Sequence, residues 1–147
     1  QMKLAQRRQR FALMAVGGRT QKLKLLPQMK ALDKLGYRMY ATYKTYKFLK
    51  SNGIEAILVN KISNPELKPN LNDLLDARRF DLIINIPTRP LARENEDGFV
   101  IRRKAVDLNI PLITNRQLAD ACIIALKETG GGTLPCKPWS AYKPSDS

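Results

Sequence analysis

Five short apolar runs, each followed by a tract with helical spacing, constrain this chain more than any other feature. The runs are FALMAV at 11–16, YRMYAT at 37–42, IEAILV at 54–59, FDLIINI at 80–86 and IPLIT at 110–114. Between them, Leu25, Met29 and Leu32 recur at i, i+4 and i+7, and Ile101, Ala105 and Leu108 share a second helical face. TYKFLKSNG, LNDLLDARR and NRQLADACIIALKE supply the remaining helical tracts, with Gly36 and Gly53 as expected stops. Pro27 is expected near a helix start, where its missing amide costs nothing. Strand and helix in strict alternation predict an α/β fold: a three-layer, doubly wound, five-stranded parallel sheet with helices on both faces. FDLIINI, apolar almost throughout, belongs mid-sheet.

At 147 residues and 44% hydrophobic, the chain has enough apolar surface for one compact domain. The expected division is a basic lead-in at 1–10, the domain at 11–128 and a Gly/Pro-rich tail at 129–147. Within the domain, residues 60–70 and 87–98 read as loops. QMKLAQRRQR resembles a transit segment in charge alone, because the strand that follows at once belongs to the fold. A chain that starts at Gln1 reads as a piece of something longer.

In a parallel sheet, ligands bind beyond the carboxyl ends of the strands. That rule singles out Gly17 to Lys22, Thr42 to Thr45, Asn60-Lys61, Asn85 to Arg89 and Thr114-Asn115. Lys plus Arg outnumber Asp plus Glu by 26 to 13, for a net charge of +13, so partners should be anionic. No histidine is present, which removes the usual general base and the commonest metal ligand. Two cysteines, Cys122 in an apolar helical run and Cys136 in the tail, are too few for a thiolate zinc cluster, and a reducing compartment is expected. No run is long enough to span a membrane. Basic residues scattered over every helix, without interleaved aromatics, argue against specific nucleic-acid binding. Tyr37, Tyr40, Tyr43 and Tyr46 read as core and rim.

At each position two readings stand. Thr42 either caps a helix with its hydroxyl or shares an anion with Thr45 and the free amides of the first turn, Lys44 adding charge. Lys22 and Lys61 are either surface lysines or cations on one sheet edge. Asn85, inside an apolar strand, needs partners when buried: a neighbouring loop or a ligand. Arg102 and Arg103 either tether the acidic run Glu94-Asn95-Glu96-Asp97 or reach an anion.

The segments GYRMYATYKT, LKSNGIEAILVNK, FDLIIN and DGFVIRRKAVDLNIPLITN, in that order, resemble the methylglyoxal-synthase-like (MGS-like) domain. The version at the carboxyl end of the large chain of carbamoyl-phosphate synthetase is the nearest match, over residues 11–128. The resemblance implies the same five-stranded fold and an allosteric, effector-binding role without chemistry of its own. Effectors in that family include UMP, IMP, uridine nucleotides such as UTP, phosphoribosyl pyrophosphate and N-acetylglutamate. It implies effector contacts at Thr42, Thr45, Lys61, Asn85 and Lys22, with Thr88 standing in for a missing neighbour and Lys44, Arg89 and Arg102 secondary. The acetylglutamate form carries a tryptophan at Lys61 and an asparagine at Gly98, so a phosphorylated effector fits this sequence better. No cofactor or metal is implied within the domain. ATP and a divalent metal belong to the parent synthetase, which makes carbamoyl phosphate from glutamine or ammonia, bicarbonate and ATP in the cytoplasm. The implied partners are its remaining domains and its glutaminase subunit. A diverged lyase acting on a small phosphorylated substrate, and a docking domain that has lost its effector, are the competing expectations.

Overall fold

The computed structural model describes residues 9–87 and 97–128. Its five strands are β1 (Arg10–Val16), β2 (Tyr37–Ala41), β3 (Ala56–Leu58), β4 (Leu82–Ile86) and β5 (Leu112–Ile113). Its five helices are α1 (Arg19–Lys34), α2 (Tyr43–Ser51), α3 (Leu71–Asp76), α4 (Asp97–Asp107) and α5 (Arg116–Glu128). All pairings are parallel, in the order β3-β2-β1-β4-β5. The α/β sheet expected from the alternation is therefore present. Its outer strands are shorter than their apolar runs, because an edge strand has a neighbour on one side and little to pair with beyond it.

Alternate residues of the central strands feed two cores. Met14, Val16, Met39 and Ile84 pack with Leu25 and Met29 of α1, Leu49 of α2, and Cys122 and Leu126 of α5. Leu13, Tyr40 and Ile83 pack on the other face with Leu71 and Leu75 of α3 and Ile101 and Ala105 of α4. Cys122 is a buried thiol, as its apolar setting suggests. Tyr37 and Tyr40 are core, whereas Tyr43 is exposed with Lys47 Nζ 5.2 Å from its ring centre. Leu35 and Gly36 end α1, Gly36 at φ 95°.

Pro27 does not mark a helix start. It lies inside α1, which begins eight residues earlier at Arg19. The ring projects from the exposed side of the helix, where water can solvate the carbonyl that proline leaves unpaired. Burial of Leu25, Met29 and Leu32 on the opposite side outweighs the local cost.

Candidate functional site

The chain winds from β1 outward through β2 to β3, then returns to place β4 on the other side of β1. The β1–β4 seam is the topological switch point, the place where ligands bind in open α/β sheets. Asn85 sits on that seam as the register partner of Ala15 and is 4% exposed. Its amide nitrogen donates to the Ala15 carbonyl at 3.3 Å, and its oxygen accepts from Arg102 Nη1 at 2.8 Å. A primary amide has two donor hydrogens, and the second reaches no described residue. A Cβ at Gly98 would lie 3.4 Å from Arg102 Nη1 and 3.8 Å from Asn85 Oδ1, so Gly98 sits directly against this pair. Of the acidic run expected to hold the arginines, only Asp97 is described. Its carboxylate receives the Ile62 amide at 3.1 Å rather than a guanidinium.

On the β1 side, Gly17 continues the seam with its amide on the Ile86 carbonyl at 2.7 Å, and Gly18, at φ 79°, turns the chain into α1. Neither a side-chain cap nor an acidic residue serves the first turn of α1, and the same holds for α2. Basic residues occupy both turns instead: Arg19 and Lys22 in α1, Lys44 in α2. Cations at a helix N-terminus oppose the macrodipole, and an anion placed at these turns would relieve that opposition. Lys22 is not a surface residue. It is 7% exposed, shares the buried stripe of Leu25, Met29 and Leu32, and its Nζ is 3.5 Å from the Gly18 carbonyl. No described carboxylate pairs with it.

The two threonines divide. Thr42 is the N-cap of α2 by position, yet its hydroxyl makes no capping bond. Its backbone is held at both ends, the amide donating to Met14 at 3.2 Å and the carbonyl accepting from Tyr46 at 2.7 Å. Thr45 is 1% exposed, and its hydroxyl accepts from the Val16 amide at 3.1 Å and donates to the Val16 carbonyl at 3.2 Å. Both groups of one parallel-strand residue face the same neighbour. Pairing of β1 with β2 stops at Met14 and Ala41, so Val16 meets Thr45 where a further strand residue would have been. This tie brings the α2 N-terminus against the end of β1, and with it Lys44 toward Lys22.

Lys61 follows β3 and is exposed. Thr88 and Arg89 lie outside the described residues. Asn115 caps α5, its side-chain oxygen receiving the Leu118 amide at 2.8 Å, and so serves the fold. Sequence reasoning missed two residues near the site, Asn70, whose side chain gathers the loop just before it, and Asp97, whose contact reaches back 35 residues. No group of His, Cys, Asp and Glu among the described residues is suited to a metal, and no described helix is long and apolar enough to cross a membrane.

Burial, and secondarily the charge of Lys44, holds the Lys22 amine below the ordinary lysine value of 10.5. Above the lowered value the unfolded chain carries the proton more readily than the fold. Stability contributed here therefore rises as pH climbs through the folded value, and levels off above 10.5. The expected result is an alkaline rise in unfolding free energy that is larger in the native sequence than in Lys22→Met. Superimposable profiles would mean that the ammonium is not penalised in the fold.

The family model of the MGS-like domain matches residues 24–114 of this chain. The carbamoyl phosphate synthase large chain of Agathobacter rectalis is 39% identical over 106 residues, which cover 72% of this chain and 10% of that protein. The C-terminal section of the large chain from Aquifex aeolicus is 40% identical over 106 residues, 72% of this chain and 19% of that protein. The chain thus spans about a tenth to a fifth of the length of these curated relatives. A crystal structure of methylglyoxal synthase from Elizabethkingia anophelis superposes with a TM-score of 0.58 at 18% identity, covering 78% of each chain. At that identity the likeness speaks for the fold alone.

Proposed function

This chain belongs to the MGS-like domain family, and from that premise we propose that it is the effector-binding regulatory domain of a carbamoyl-phosphate synthase large chain. The observation that carries the proposal is the buried Lys22, with no described carboxylate paired to it, beside Lys44 and between two helix N-termini that lack acids and side-chain caps. Such a cluster suits a phosphate. Its oxygens would take the Thr42 hydroxyl, the first-turn amides of α2 and the ammonium groups of Lys22, Lys44 and Lys61. Thr45 contributes chiefly by holding that turn in place. The rest of the effector would extend along the seam to Asn85 and Arg102, with Thr88 and Arg89 on the segment that follows β4.

The ligand class is a small phosphate ester such as UMP, IMP, UTP or phosphoribosyl pyrophosphate. The domain itself performs no chemistry: its 147 residues contain no imidazole, which disfavours the lyase alternative. ATP, a divalent metal, bicarbonate and glutamine or ammonia act elsewhere in the parent ligase, on its other domains and glutaminase subunit, in the cytoplasm. Regulation requires that the effector bind two arrangements of the parent with different affinity.

Calorimetric titration of the chain with those four phosphate esters tests the reading. Saturable one-site binding is expected for at least one of them, weakened roughly tenfold or more by Lys61→Ala, as for loss of one charge-assisted contact. Silence across the panel from a folded chain would reject the effector role.

A further inference from the structure

An exposed loop residue has little reason to be fixed, yet the peptide group between Lys61 and Ile62 is held at both ends by side chains. Its carbonyl accepts from Asn70 Nδ2 at 2.9 Å as well as from the Asn64 amide at 3.0 Å, and its N–H donates to Asp97 Oδ2 at 3.1 Å. Asn70 is 2% exposed and also binds the Asn64 carbonyl at 3.1 Å, while its oxygen receives the Asn72 amide at 2.9 Å. It is therefore a rigid post. Asp97 comes from a different part of the chain: it opens α4, the helix that carries Gly98 and Arg102, and Arg102 binds Asn85 on the seam.

We infer that Asp97 is a positioning residue for the anion site, aiming Lys61 through the Lys61–Ile62 peptide and coupling that lysine to the Asn85–Arg102 corner. This inference rests on the regulatory reading above. The peptide before Lys61 is held as well, the Asn60 carbonyl accepting from the Leu71 amide at 3.0 Å, so planes fixed on both sides set the direction in which the Lys61 side chain leaves the backbone. A lysine stem has several rotatable bonds, so a pinned root removes part of the ordering cost of reaching a phosphate. The carboxylate also suits its place in the first turn of α4, where the helix dipole favours negative charge. Because one short helix bears both Asp97 and Arg102, a ligand engaging Lys61 acts on an element that also braces Asn85.

The test is a double-mutant cycle on the full 147-residue chain, titrated with inorganic phosphate and the four esters above, with thermal melts of each variant. Asp97→Ala should raise Kd about five- to tenfold, within the range for residues sharing one network. Asp97→Asn, which keeps an oxygen acceptor for the Ile62 amide, should stay within about twofold of the native chain. In a Lys61→Ala background most of the Asp97→Ala loss should disappear, because no lysine is left to aim. Any general weakening of α4 is common to both backgrounds and cancels in the cycle. An Asp97→Ala loss of equal size without Lys61, or an unchanged Kd in a folded Asp97→Ala chain, would overturn the inference alone. Binding of none of the probes by the native chain would overturn the regulatory reading and the inference together.

Discussion

Thr45→Val is expected to lower the stability of the fold by about 2 to 4 kcal/mol, with a fall in thermal midpoint of roughly 8–15 °C. Valine reproduces the shape of threonine, so the change removes one hydroxyl and little else. That hydroxyl satisfies both the amide and the carbonyl of Val16, a residue 4% exposed at the end of the central strand. Without it, two backbone groups stay buried without their partner, each at about 1–3 kcal/mol. Against a total of about 5–15 kcal/mol for a domain, this is a large fraction. Thr42→Val supplies the contrast. Its hydroxyl is half-buried and makes no described bond, so the same chemical change should move stability by about 0.5 kcal/mol or less while weakening phosphate binding. Denaturant titration of both variants separates the roles. Equal melts for the two would show that Thr45 does not act as a substitute strand residue for Val16.

What the sequence disclosed follows the range of the interactions involved. The strand–helix alternation is local, and each apolar run became a strand at or near its expected place. Pro27 misled because proline favours the first helical turn, while the true first turn, Arg19 to Lys22, is polar and shows no apolar period by itself. A legible signal was nevertheless there. Lys22 stands three residues before Leu25, on the stripe continued by Met29 and Leu32, and a lysine on an apolar stripe is either costly or useful. The threonines looked equivalent in sequence. They differ because β2 ends at Ala41 and leaves Val16 facing Thr45 across 29 residues, a fact of sheet register that no local pattern carries. Asp97 was legible only as one acid in an acidic loop. Its partner, the Ile62 amide, lies 35 residues away, and its importance arises from the peptide group that Asn70 holds from the other end.

Lys22→Met should change stability and binding in opposite directions. Methionine matches the length of the lysine stem and packs adaptably beside Leu25 and Met29, without an ammonium that burial and Lys44 both disfavour. The unliganded fold should gain about 1 kcal/mol near neutral pH, as is common when a functional polar group is replaced by a packed apolar one. Phosphate-ester affinity should fall at least about tenfold, since the same substitution deletes a buried charge-assisted contact worth roughly 1.5 kcal/mol or more. An ordinary structural lysine would give the reverse: a loss of stability through lost contacts and no change in binding. Chemical denaturation and calorimetry on one pair of proteins therefore decide between them. The opposed signs also follow from the regulatory reading, because a buried ammonium with no described carboxylate beside it makes the free and liganded states differ in energy. A domain that signals by binding needs that difference, and Lys22 lies where two helix N-termini meet the end of β1.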